Sequence, residues 1–203
     1  MNETLDAQLC AKYPKIFKER RGSIQSTLMC WGFEHDDGWY NIIDKLCLNI
    51  QHHIDTKRED RLHALKYNRA LKQAVEKNNI VPLIKCYSDT ATELHKLSRW
   101  SQEQLLEDLE NNTPKQVPDK VAQVVAVQVK EKFGTLRFYT VGGNDIIYAM
   151  IRMAESMSGV TCETCGAPGT RRGGGWIYTA CDEHTRKEDL EESEEYNPDI
   201  KED

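Results

Sequence analysis

Apolar positions along the first half of the chain recur at helical intervals. Trp39, Ile42, Ile43, Leu46, Cys47, Ile50 and Ile54 fall three or four residues apart, a stripe that predicts a core-facing helix. Asp36 or Asp37 stands where its N-cap would be. Residues 3–20 read as a short helix interrupted near Pro14. A second long helix is expected from about Asp60 to Asn78, with Ala64, Tyr67, Leu71, Ala74 and Val75 on one face and Asn78-Asn79 ending it. A more polar third helix covers roughly Ser88–Leu109, and Asn111–Pro118, with two prolines, is a linker. The period then changes. Val121–Val129 is rich in β-formers and Thr135–Val141 alternates, so the two predict an antiparallel hairpin turning at Glu131–Gly134. Asn144 or Asp145 caps one more helix, to about Ser158, with Ile147, Met150, Ile151 and Ala154 on its apolar face.

The strongest chemical signal follows that helix. Cys162-x2-Cys165 and, sixteen residues on, Cys181-x2-His184 have the ligand types and spacing of a zinc ribbon or knuckle. Gly166 after the first pair suits a turn that must aim backbone N–H groups at a thiolate. Four protein ligands leave no position for water or substrate, so the expected Zn2+ is structural. A further hairpin is expected through Arg171–Thr179. The fold class is therefore α+β: an N-terminal helical layer on a small antiparallel hairpin unit, with a C-terminal zinc ribbon. By segment, 1–118 is mainly helical and 119–159 is hairpin plus helix sharing the same core. The metal module is 160–185, and 186–203 is an acidic tail read as disordered.

Charge sharpens this division. The 203 residues carry a net charge of −6. From Asp182 onward there are eleven acids against three bases, whereas the rest holds 24 bases against 22 acids. The body is too weakly basic for a general polyanion binder. Three of seven cysteines belong to the metal set, and Cys10, Cys30, Cys47 and Cys86 show no paired spacing. Residues 1–9 lack the apolar core of a signal peptide, and no run approaches the roughly 18 apolar residues of a membrane span. These features favour a reducing cytoplasm.

Other constellations are weaker. His52-His53-x-Asp55, with His63, suggests a metal-dependent phosphohydrolase, but adjacent helical histidines point about 100° apart and no second HD pair follows. Between Trp31 and Tyr40, Trp31, Phe33, Trp39 and Tyr40 would either stack a planar ligand beside Glu34, Asp36 and Asp37 or lock the helix start into the core. Arg137 and Tyr139 share a strand face ahead of Gly142-Gly143-Asn144-Asp145, either an anion-binding glycine turn or a plain strand-to-helix turn. Arg171, Arg172 and Trp176 should project between the metal half-sites. They would touch phosphate and bases, contact a protein, or form a bare linker. No nucleophile–base set stands out, so a binding protein leads over an enzyme.

Val129–Tyr139 (VKEKFGTLRFY), Gly142–Asp145, Met153–Met157, the metal stretch Thr161–Gly169, Gly175–Ile177 and Cys181–His184, together with Trp39–Ile43, resemble a group of small accessory proteins of tailed bacteriophages and prophages. The resemblance covers about residues 28–55 and 121–184, includes the four metal ligands, and brings no catalytic residue. It implies a phage protein in the bacterial host cytoplasm that binds a host protein, such as a defence factor, and blocks or redirects it. A nucleic-acid-binding zinc module and a nucleotide-binding protein (a sponge or a processing enzyme) are the alternatives.

Overall fold

A computed structural model describes residues 1–87, 107, 111 and 113–189. The expected helix at 88–109 and the tail beyond residue 189 lie outside the described residues. The architecture is mixed α+β. Its elements in chain order are α1 (Glu3–Lys12), β1 (Phe33–Glu34), α2 (Tyr40–Lys77), α3 (Val81–Tyr87), β2 (Ala122–Lys132), β3 (Thr135–Gly143), α4 (Asp145–Ser158), β4 (Thr170–Arg172) and β5 (Tyr178–Ala180). Contacts divide the chain into two units, one made of residues 1–54 and 122–203 and the other of residues 55–121.

Two expected helices are a single one. α2 runs unbroken through residues 55–60 because Asp55–Asp60 contains no glycine or proline, only polar residues tolerated on an exposed helix. Its cap also differs. Asp37 lies inside a 3-10 turn, Asp37–Trp39, and its carboxylate accepts from the Asn2 backbone and side chain at 2.7 and 2.6 Å instead of capping α2.

In the first unit the sheet order is β1-β2-β3. β1 pairs parallel with β2, Phe33 opposite Val129, and β2 pairs antiparallel with β3, Lys132 opposite Thr135. Only Phe133 and Gly134 separate the two long strands, both at positive φ (55° and 78°), the geometry of a two-residue hairpin that matches strand twist. The outward N–H groups of β3 are covered by α4. Leu136 N donates to Ser158 Oγ at 2.8 Å, and Phe138 N to Glu155 Oε1 at 3.0 Å, so this length of strand edge offers no template to another chain. Asn144 caps α4 by accepting from Ile147 N at 3.1 Å. α2 and α4 lie antiparallel. Trp39 Nε1 donates to Thr161 O (2.9 Å) at one end, and Asn144 Nδ2 meets His53 Nε2 (3.2 Å) at the other.

The core of this unit includes Leu9, Ile16, Phe17, Met29, Trp39, Ile43, Ile50, Val129, Leu136 and Ile147. Phe17 meets Phe33 edge-on at 5.0 Å between centroids, a favoured aromatic geometry. α1 ends before Pro14 as expected and is strapped to α2 through a buried carboxylate. Asp44 accepts from Tyr13 Oη (2.8 Å) and Lys12 Nζ (2.6 Å). Burial alone would raise the Asp44 pKa, but those two bonds, with the Lys12 charge and Lys45 at 3.5 Å, outweigh it and hold the carboxyl below its ordinary range.

In the second unit, Tyr67, Ala70, Leu71 and Ala74 of α2 pack with Ile80, Leu83 and Cys86. Asn78, at φ 44°, ends α2 as its sequence suggested. The segment before β2 is laid along α2. Asn68 brackets Lys115 with two bonds (2.8 and 2.7 Å), and Arg61 donates to Pro118 O at 2.6 Å.

Candidate functional site

Cys162, Cys165, Cys181 and His184 converge, their donor atoms all within 4.8 Å of one another. Cys165 Sγ and Cys181 Sγ are 3.7 Å apart, close to the edge of about 3.8 Å expected for a tetrahedron of zinc–thiolate bonds about 2.3 Å long. Cys181 Sγ and His184 Nδ1 lie 3.1 Å apart. The donor set and spacing suit a metal ion such as zinc. Among the described residues no other three histidine, cysteine or acidic side chains form a group able to hold one, so His52, His53, Asp55 and His63 do not make a second centre.

The local backbone favours the Cys162 thiolate. Gly166, at φ 79°, turns the chain so that its N–H reaches Cys162 O at 2.9 Å. Burial pushes the Cys162 thiol up, but backbone N–H groups of Cys181, Cys165 and Thr164 overcome this and bring its pKa down to about 7. A thiol so placed is a ready metal ligand.

No motif in the sequence marks the turn at 36–39 as part of the same site. Gly38 N donates to Glu163 O at 2.7 Å, Asp36 N to Glu163 Oε1 at 3.2 Å, and Thr164 Oγ1 to Asp36 Oδ2 at 3.4 Å. A Cβ on Gly38 would overlap Cys162 O and stand 2.5 Å from Glu163 O and Gly166 N. Backbone therefore lies directly on backbone, which only glycine permits. The other face of the module is tied to the β2–β3 turn, where Thr179 Oγ1 donates to Gly134 O at 2.6 Å.

Between the metal hairpin and the sheet lies an open pocket of about 370 Å³. Glu34, Asp36, Glu131 and Glu163 line it with Trp176 and Arg186. Burial, with the nearby Asp36 and Glu131 carboxylates, raises the Glu163 pKa to about 7 against the opposing Asp36 N–H bond. Trp176 is 67% exposed. Arg172 does not extend with it. Its guanidinium pairs with Asp182, while Arg171 is exposed on β4.

The remaining candidates are dispersed. Trp39 is wholly buried and Trp31 is 62% exposed, so the two do not form one stacking platform. Arg137 turns back on its own strand, donating to Thr135 Oγ1 (2.6 Å) and Leu136 O (2.8 Å). Tyr139 lines a shallow cradle of about 450 Å³ with Ile24, Leu28 and Lys130. Gly142 and Gly143 take positive φ (80° and 93°), and a Cβ on Gly142 would collide with Gln123 O. Asn144 spends its side-chain oxygen on the helix cap, and Asp145 is exposed in the first turn. Among the described residues no helix is long and apolar enough to cross a membrane.

Comparison with protein-family models, with curated proteins and with solved structures finds no match.

Proposed function

We propose that this chain is a phage-encoded, non-enzymatic binding protein of the host cytoplasm that engages a basic segment of a host protein through the Trp176 pocket. In this reading the cysteine–histidine cluster holds structural zinc, and the metal fixes one wall of the pocket.

The observation that carries the proposal is the pairing of an exposed indole with the carboxylates of Glu34, Asp36 and Glu131, beside Glu163, whose raised pKa leaves it only partly charged near neutral pH. A lysine or arginine side chain entering the pocket meets the carboxylates of Glu34, Asp36 and Glu131 and the exposed Trp176 indole, with Arg186, held over the Tyr178 ring at 4.3 Å, as an opposing cation. A phosphate backbone meets repulsion at the same place, and Arg172, already paired with Asp182, has less to offer it. The sequence after residue 186 adds further negative charge to the same chain.

The wall on one side is built from Glu163, Thr164, Trp176, Tyr178 and Arg186, all within or beside the cysteine–histidine hairpin, and Glu34 and Glu131 come from the sheet. Metal removal should therefore abolish binding by separating the two walls.

The test begins with native mass spectrometry of protein drawn from bacterial lysate at low salt. A host protein in stoichiometric amount is expected. Fluorescence anisotropy with a labelled arginine- and lysine-rich peptide then locates the site. Trp176→Ala should weaken binding about 3- to 30-fold, the worth of one cation–aromatic contact. Retained nucleic acid, or oligonucleotide binding that Trp176→Ala weakens, would replace this reading with the nucleic-acid one. A retained mass of a few hundred daltons would replace it with nucleotide binding.

A further inference from the structure

α4 carries a second apolar stripe that the fold does not bury. Ile147, Ile151, Ala154 and Ser158 face inward. Ile146, Met150, Met153 and Met157, with Val160 in the following turn, lie on an adjoining face. Ile146 is 50% exposed, Met153 61%, Met157 46% and Val160 65%. The last four residues of the stripe follow steps of three, four and three, after a first step of four, the spacing of a helix–helix seam. Beside α2 the stripe opens into a groove of about 240 Å³, walled by Ile42 and Leu46 on one side and Met150, Met153 and Met157 on the other.

We infer that this face is a homodimer interface, in which α4 packs antiparallel against α4 of a second copy about a two-fold axis near Met150 and Met153. The steps of four, three and four from Ile146 to Met157 read the same in either direction, with Val160 lying beyond the palindrome. An antiparallel copy therefore meets the stripe layer for layer, as a self-complementary two-fold contact requires. Ile146 then lies opposite Met157 of the second copy, and Met150 opposite its Met153.

Two further observations favour a second copy over an unrelated protein. The stripe and its neighbours Ala149 and Ser156 bear no charge, as expected at the centre of a self-association surface and unlike the pocket beside Trp176. The small side chains of Ala149 and Ser156 also let two helix backbones approach closely. The stripe alone exposes roughly 400 Å² of apolar surface per copy, about half of the ~800 Å² that a stable interface takes from each partner. Asn41, Lys45 and Asn49 at the groove rim add polar area around it. An interface of that size gives an equilibrium dimer, not an obligate one. Methionine suits such a seam because its unbranched side chain adapts to the opposing surface.

Sedimentation equilibrium of the zinc-loaded full chain, from about 1 to about 100 µM, tests this in the concentration range where an interface of this size associates. A monomer–dimer equilibrium is expected, weakened at least about tenfold by Met153→Lys, since each two-fold contact buries the substituted side chain twice. Because Met153 is largely exposed, thermal unfolding of the variant at low concentration should match the parent. Ile24→Lys, on another exposed apolar position, should leave the dimer intact. A monomer throughout the range, or a dimer unaffected by Met153→Lys, overturns the inference. The measurement needs no host partner, so its outcome is independent of the peptide-binding reading.

Discussion

His35 should make this protein measurably acid-sensitive. The imidazole is buried between Phe33, at 6.0 Å, and Trp39, at 5.6 Å between ring centroids. Nδ1 lies 2.7 Å from Asp36 O, and Nε2 has no hydrogen-bond partner among the described residues. Burial lowers its pKa to about 4, with the amino terminus adding to the effect and Asp36 O and Asp37 opposing it. In the unfolded chain the group titrates near 6.5. Between those values the unfolded state binds a proton that the folded state does not. Stability is therefore full above pH ~6.5 and declines as pH falls towards ~4. From pH ~7 to ~4.5 the two pKa values give a loss on the order of 2 kcal/mol from this one residue. Urea unfolding of the parent and of His35→Gln at both pH values isolates it. Metal ligands and carboxylates titrate in both proteins and cancel in the difference, as does any pH-independent cost of the glutamine. The pH-dependent loss should be smaller in His35→Gln by on the order of 2 kcal/mol. Parallel pH curves for the two proteins would refute the argument, because they would mean that the buried site accepts the proton as readily as water does.

Three further outcomes are expected. Chelation should release the amide protons of Cys162, Glu163 and Gly166 to exchange while the β2–β3 ladder stays protected, since only the first group depends on the metal turn; uniform exchange would contradict a local role. Gly38→Ala should cost about 2 kcal/mol and weaken zinc binding at least about tenfold in a chelator competition, because the added Cβ must push the 36–39 turn off the cysteine knuckle. Phe133→Asn should raise stability by about 0.5 kcal/mol, read as a small upward shift in Tm. Asparagine tolerates the left-handed backbone better than phenylalanine, and the gain is only partly offset by losing the Lys132–ring contact at 5.3 Å.

The sequence by itself determined the features that rest on local rules. Helical spacing from Trp39 to Ile54 announced the buried face of α2. Alternation with a turn expected at Glu131–Gly134 announced the hairpin, which the fold tightens to Phe133-Gly134. Ligand type and spacing brought Cys162, Cys165, Cys181 and His184 together before any coordinates, because a metal knuckle is made by two short turns whose chemistry is written nearby. Tertiary structure decided what depends on distant neighbours. The continuity of α2 was missed because a polar stretch at 55–60 carries no core signal, although nothing in it breaks a helix. Trp39 and Trp31 look equivalent in sequence, yet one is core and the other faces water, since burial is set by packing partners more than a hundred residues away such as Thr161. Gly38 lies 124 residues before Cys162 and carries no metal-binding signature, yet it is the residue on which the knuckle rests. The four carboxyl groups of the Trp176 pocket come from three separate stretches of chain, at 34–36, 131 and 163, so only the fold could bring them together.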